Sequence, residues 1–127
     1  MIGLNQIERD SVEEIVINKS KFIAYSFAVS FQEEISKNLE KISQKYPDAT
    51  HICYAYSIYP SMEKAVDAGE PQGTAGKPIL DCIKKANISN VLVVVVRYFG
   101  GTKLGAGRLL RTYVQAGVAV LKTAGIE

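Results

Sequence analysis

A glycine-rich, basic segment lies between the most apolar run of the chain and its last amphipathic run. Residues 91–96 are consecutive apolar residues, and RYFGGTKLGAGRLLR follows at residues 97–111. The apolar run predicts a buried strand, and the spacing after it predicts a helix that ends before Gly125. The glycines and cations thus stand at a helix start, where unpaired N–H groups and the positive end of the helix dipole favour an anion.

The charge of the chain is polarised along the sequence. Residues 1–81 hold 8 Lys and Arg against 12 Asp and Glu, whereas residues 82–126 hold 7 cations and no acid, and Glu127 completes the net charge of +2. Such polarity favours a polyanionic partner, either nucleic acid or a phosphorylated ligand. For Lys84, Lys85 and Lys122, ordinary solvated positions near helix C-termini are expected instead.

Length and composition predict one domain that spans residues 1–127, with 47% hydrophobic residues available for a core. No segment approaches the roughly 20 apolar residues of a membrane span, and the N-terminus lacks the apolar region of a signal peptide. Cys53 and Cys82 have neither zinc-ligand nor redox-motif spacing. We expect a cytoplasmic protein without metal or cofactor, and the sequence leaves its oligomeric state open.

Periodicity predicts the element order β-β-α-β-α-β-α. Strands are expected at residues 12–17, 22–29, 50–59 and 91–96, and helices between Ser30 and Pro47, from about Thr74–Pro78 to Ala86, and from Leu104 or Gly107 to Thr123. This order predicts an α+β two-layer sandwich, in which the helices cover one face of a four-stranded mixed sheet.

Two glycine-rich loops, residues 69–77 and 100–107, precede the last two predicted helices. If both helix starts lie at one edge of the sheet, the loops form a single anion-receptive groove. The spacing of neither loop matches a P-loop or a dinucleotide fingerprint, so nucleotide hydrolysis and Rossmann cofactors are not expected. The alternative is that the glycines serve tight turns and close packing. The predicted anion or nucleic-acid site comprises Gly73, Thr74, Gly76, Lys77, Arg97, Gly100, Gly101, Lys103, Gly105, Arg108 and Arg111.

Four side chains carry alternatives. His51, the only histidine, and Glu70 are the candidates for catalysis, although a hydrogen-bonded strand histidine is the more common case. Either Asp67 or Glu70 is expected to cap the following helix or to pair with Lys77. Arg97 must pair with Asp67 or Glu70 or reach a ligand, and we favour the internal pair.

The segment RYFGGTKLG at residues 97–105 resembles the signature of the Impact family, which includes the bacterial YigZ-type proteins. SKFIA at residues 20–24, DATH at 48–51 and GEP with GTAGKP at 69–78 agree in order and spacing. The resemblance implies a fold similar to the second domain of ribosomal protein S5. Eukaryotic relatives regulate translation by competing for the activator of the general-control kinase, and bacterial relatives are suspected of binding RNA or the ribosome. No catalytic residue is established for the family.

Three functions follow from these observations. The first is a non-enzymatic translation-associated module that binds RNA or the ribosome through the two glycine loops. The second is an enzyme or sensor for a small phosphorylated or otherwise anionic ligand. The third is a protein-interaction module that regulates translation through a protein partner.

Overall fold

The computed structural model describes residues 3–127 and confirms the α+β class. Its elements are β1 (Ser11–Ile17), β2 (Ser20–Ala28), α1 (Gln32–Lys45), β3 (His51–Ile58), β4 (Met62–Val66), α2 (Gly76–Lys85), β5 (Val91–Tyr98) and α3 (Ala106–Ala124). The strand order is β1-β2-β5-β3-β4, and every neighbouring pair is antiparallel. The expected four-stranded mixed sheet is therefore wrong, because the sheet has a fifth strand and no parallel pair.

The additional strand, β4, forms a hairpin with β3. Its register runs from Tyr54 opposite Val66 to Ile58 opposite Met62. Four of its five residues are exposed and the fifth is half-buried, so it has no buried face to produce an alternating pattern. An edge strand of this kind gives little hydrophobic signal, and its backbone pairing with β3 accounts for it.

The helices cover both faces of the sheet, which corrects the expected two-layer arrangement. Side chains of the central strand β5 alternate between two cores: Val91, Val93 and Val95 pack with α2 and α3, whereas Leu92, Val94 and Val96 pack with Ile35 and Ile42 of α1. Because β5 is apolar on both sides, each side needs a helix to keep it from water. The result is three layers, with α1 opposite the other two helices.

The strand register gathers polar groups at one end of the sheet. Arg97, near the end of β5, lies opposite Phe22 of β2 and opposite His51 of β3. The loop before α2 and the loop before α3 meet at this same end, as the cavity described below shows. Among residues 3–127, no helix is long and apolar enough to cross a bilayer.

Candidate anion-binding site

Arg97 and Glu70 form a buried ion pair that joins β5 to residues 67–77, named here the first glycine loop. Nη1 of Arg97 donates to Oε1 of Glu70 at 2.9 Å and to Oε2 at 2.8 Å, and the two side chains are 7% and 2% exposed. The guanidinium also lies 5.3 Å from the ring centroid of Phe22. A buried charge requires a partner. The predicted internal pairing of Arg97 is confirmed, and Glu70 rather than Asp67 is its partner.

Tyr113 of α3 completes the coordination of the buried carboxylate. Its hydroxyl donates to Oε2 of Glu70 at 2.5 Å and lies 3.3 Å from Sγ of Cys53. Burial is the main cause that raises the pKa of Tyr113. Burial likewise raises the pKa of the Cys53 thiol to about 12, with Glu70 and Asp67 adding to the effect and Tyr113 opposing it. Cys53 is therefore a neutral packing residue rather than a nucleophile.

His51 faces hydrogen-bond acceptors with both ring nitrogens. Nδ1 lies 3.0 Å from the carbonyl oxygen of Ala68, and Nε2 lies 3.3 Å from Oε1 of Glu70. A neutral imidazole can donate to only one of these acceptors, whereas an imidazolium donates to both. Neither nitrogen is directed at open solvent as a free base, and both oxygens of Glu70 already accept hydrogen bonds. The hydrogen bond of Nδ1 and the saturated acceptors of Glu70 favour a structural role for these two candidates for catalysis.

Asp67 closes the first glycine loop by capping α2. Its carboxylate accepts the backbone N–H groups of Gly73 at 2.9 Å, Ala75 at 3.1 Å and Gly76 at 2.8 Å. Burial acts to raise the pKa of Asp67, but these three hydrogen bonds outweigh it and hold that pKa below its usual value. Thr74 is also engaged, because its N–H and hydroxyl both donate to the carbonyl of Pro71. The expected anion-binding donors of Gly73, Thr74 and Gly76 are thus occupied within the chain.

The start of α3 differs from the start of α2, because no group among residues 3–127 accepts hydrogen bonds from its first backbone amides. We name residues 99–107 the second glycine loop. Gly105, the N-cap, has φ 81° and no side chain to cap the helix, and the first amide of this helix with a carbonyl acceptor is that of Leu109. Within residues 3–127, the N–H groups of residues 106–108 have no acceptor, and the first turn holds no acid. Such a start can accept an anion.

A cavity of about 330 Å³ brings the two glycine loops together. The first loop contributes Gly69, Glu70 and Pro71, and the second contributes the stretch from Lys103 to Ala106, with Phe99 and Leu109 beside it. His51 and Arg97 line the same cavity. Nε of Arg97 is buried without a hydrogen-bond partner among the described residues, and its Nη2 reaches only Ser20 Oγ, at 3.5 Å. The two loops therefore share one cavity, and that this cavity binds an anion stays a prediction.

Other residues of the predicted site lie elsewhere or serve the chain itself. Lys77, the second residue of α2, lines a different depression, between α2 and α3. Gly100 donates its N–H to Ser20 Oγ at 3.1 Å. Arg108 is exposed on the first turn of α3, and Arg111 lies against that turn, since a Cβ placed on Gly107 would be 3.4 Å from its Nη1.

Two members of the site, Tyr113 and Ser20, were not predicted from the sequence. Tyr113 lies on the apolar stripe of α3, two turns after the loop, and a buried tyrosine hydroxyl needs a polar partner. That requirement, together with a carboxylate such as Glu70 that also needs a partner, could have indicated the role of Tyr113 from the sequence. Ser20 gave no such signal, because its role depends on the β2–β5 register.

Comparison with known proteins supports the family resemblance. The protein-family model of the Impact N-terminal domain matches residues 18–121 of this chain. The chain is 48% identical over 102 residues to IMPACT family member YvyE of Bacillus subtilis, covering 79% of this chain and 47% of that protein. It is 38% identical over 106 residues to IMPACT family member YigZ of Escherichia coli, covering 80% of this chain and 51% of that protein. The chain thus spans about half the length of these relatives.

A solved structure matches the complete fold. The crystal structure of a hypothetical protein superposes with a TM-score of 0.93 at 29% identity, covering 100% of this chain and 64% of the other. The three-layer arrangement with its antiparallel sheet is therefore shared with an experimentally determined protein.

Proposed function

The chain belongs to the Impact family, and from this premise we propose that it is a non-enzymatic, translation-associated module of the cytoplasm. In this proposal it binds structured RNA or a ribosomal surface through the second glycine loop and the first turns of α3. The link with translation comes from the family resemblance, and the contact surface comes from the site described above.

The observation that carries the proposal is the contrast between the two helix starts. The carboxylate of Asp67 fills the start of α2, whereas no group of residues 3–127 fills the start of α3. Exposed cations surround the unfilled start: Lys103, Arg108 and Arg111. Free backbone donors with cationic side chains around them are the chemistry that holds a phosphate group.

Two further observations support the proposal: the charge distribution along the chain, and the hydrogen bonds that occupy both carboxylate oxygens of Glu70. Residues 82–126, the part of the chain that contains α3, carry cations and no acid, so this part attracts a polyanion from a distance. Both oxygens of Glu70 accept hydrogen bonds from Arg97, and Tyr113 adds another. A carboxylate held in this way is poorly placed to exchange protons with a substrate, which favours binding over catalysis.

The proposal predicts that RNA affinity depends on salt through the α3 start. Each phosphate contact that is lost lowers the slope of log K against log salt by about 0.7–0.9. We therefore expect Lys103→Ala combined with Arg111→Ala to lower the slope by about 1.4–1.8 if both cations contact phosphates. The measurement is fluorescence anisotropy of a labelled RNA stem-loop, titrated with protein between about 50 and 200 mM KCl.

A matched double variant on the opposite layer serves as the control. Lys37→Ala with Lys41→Ala removes two exposed cations from α1, and we expect the wild-type slope to be retained. RNA binding that is absent in the wild type, or a slope that falls equally in both double variants, would contradict the proposal.

A small anionic molecule is the second candidate ligand, and the cavity favours it. Arg97 and Lys103 both line the half-open cavity of about 330 Å³ between the two loops. That volume lies within the usual range for small-ligand pockets, from about 300 to 1,000 Å³. A phosphorylated or carboxylated molecule in this cavity could pair with the exposed Lys103.

Thermal unfolding with inorganic phosphate, nucleotides, sugar phosphates and small carboxylates tests this candidate. A true ligand should stabilise the protein saturably, by about 2.7 kcal/mol at a concentration of about 100 times Kd. Lys103→Ala should abolish the stabilisation, and Lys77→Ala, outside the cavity, should retain it. No stabilisation by any member of the panel would eliminate the small-ligand candidate and leave the RNA proposal standing.

A further inference from the structure

An open apolar groove runs between α2 and α3, on the side of these helices that faces away from the sheet. Its volume is about 840 Å³. Leu110, Val114, Val118 and Leu121 of α3 form one wall, and Pro78 and Cys82 of α2 contribute to the other. From Leu110 to Leu121 the wall follows the helix for about 16 Å, at a rise of 1.5 Å per residue.

Several large apolar side chains of the groove are exposed to solvent. Leu110 is 39% exposed, Val118 is 42% exposed and Ile126, at the end of the groove, is 43% exposed. These side chains lie in one row rather than scattered over the surface, because Leu110, Val114 and Val118 follow one another at a spacing of four residues. A contiguous apolar row of this kind marks a contact surface.

Cations border the groove on both sides. Lys77 and Lys85 of α2 and Lys122 of α3 line it and are exposed, together with a single acid, Asp81. Within residues 3–127, none of these lysines has a carboxylate within 4.0 Å, whereas the neighbouring Lys84 has Glu63 at 3.8 Å. The border is therefore positive on balance, since three lysines without an ion pair outnumber the one acid.

We propose that the groove binds an amphipathic helix of a partner protein, with apolar residues at i, i+3, i+4 and i+7 and acidic residues flanking that stripe. The length of the apolar row matches three turns of helix, and a helix in a groove between two helices buries such a row efficiently. Acidic flanks complement Lys77, Lys85 and Lys122 and set the preference among helices.

A second copy of the chain fits the groove less well than an acidic helix. In a two-fold dimer through this face, the same lysine border would meet itself, so like charges would oppose the apolar contact. The proposal is also independent of RNA binding, because it uses neither Lys103 nor the start of α3. It also gives a role to Lys77, which lines the groove and not the cavity between the glycine loops.

Binding of synthetic peptides to the complete chain tests the proposal. The probe is a labelled peptide of about 11 residues, with leucines at the stated spacing and glutamates beside them. Its control has lysines in place of the glutamates. We expect saturable binding of the acidic peptide by fluorescence anisotropy, at least about tenfold tighter than the lysine peptide. Chemical-shift changes in an NMR titration should map to α2 and α3.

Two substitutions in the protein make the test specific. Val118→Asp places a charge in the apolar row and should weaken the acidic peptide by about tenfold or more, which corresponds to 1.4 kcal/mol. Lys85→Glu should reduce the preference for the acidic peptide over the lysine peptide. Val16→Asp, at a β1 residue that is 59% exposed, should leave the affinity unchanged.

Several results would overturn the proposal. These are no binding of the acidic peptide, equal binding to wild type and Val118→Asp, or equal binding of both peptides. Saturation of the groove by decanoate without any effect of the peptide would identify a small amphiphile as the occupant. Concentration-dependent self-association that Val118→Asp removes would identify a second copy.

Discussion

Replacement of Glu70 by alanine is expected to lower the free energy of unfolding by about 3–5 kcal/mol, the usual cost of leaving a buried charge without its partner. Arg97, whose side chain is 7% exposed, would retain its charge, since a guanidinium does not lose its proton in a protein. Among residues 3–127, the one other side-chain acceptor that its guanidinium reaches is Ser20 Oγ, at 3.5 Å from Nη2. The hydroxyl of Tyr113 would lose its carboxylate as well. Urea unfolding at neutral pH measures the loss.

The matched control is Glu40→Ala, which removes a carboxylate from the exposed face of α1. A surface substitution of this kind should change stability by no more than about 0.5 kcal/mol. Glu70→Gln keeps the shape and one acceptor oxygen, so its loss should lie between those of the two alanine variants. A loss below about 1 kcal/mol for Glu70→Ala would mean that Arg97 is hydrated or finds another partner, and that the ion pair does not hold the loops together.

The part of the site that follows from one residue's chemistry could be predicted from the sequence. Arg97 comes at the end of an apolar strand, so its guanidinium needs a carboxylate, and only Asp67 and Glu70 were available in the other glycine loop. The choice between them depends on the turn that aims Asp67 at the amides of Gly73, Ala75 and Gly76. No local pattern predicts that choice, because the contacts of Asp67 have sequence separations of 6, 8 and 9 residues rather than the usual two or three.

The fold was predictable where hydrophobic patterns are strong and was missed where they are absent. The predicted helices and strands are present, because their apolar residues either repeat with the period of the element or, in β5, fill every position from 91 to 96. β4 lacks such a side and was missed. The position of α1 could also have been predicted. Residues 91–96 are apolar at every position, so the strand that they form needs helices on both faces of the sheet.

Replacement of Asp67 by alanine is expected to lower the free energy of unfolding by about 2–4 kcal/mol, because hydrogen bonds to a charged group contribute about 1.5–3 kcal/mol each and do not add fully. The variant leaves the amides of Ala75 and Gly76 at the α2 start, and that of Gly73 in the loop, without their acceptor. It should also loosen the first glycine loop, which holds Glu70 against Arg97. Asp67→Asn retains one carbonyl oxygen, so its loss should be smaller. Urea unfolding of both variants beside wild type checks the order.

The contribution of the Asp67 charge should disappear in acid, and its sign follows from the direction of the pKa shift. The three amide hydrogen bonds hold the pKa of Asp67 in the folded protein below its ordinary value of 3.8. The unfolded chain therefore takes up the proton first as pH falls. The stabilisation is complete above the unfolded pKa and is lost as pH falls through the folded pKa. The stability difference between wild type and Asp67→Asn should accordingly be constant near neutral pH and shrink below about pH 4. Other acids titrate in both proteins and cancel in this difference, so a difference that stays constant down to about pH 2 would show that the cap acts without the charge of Asp67.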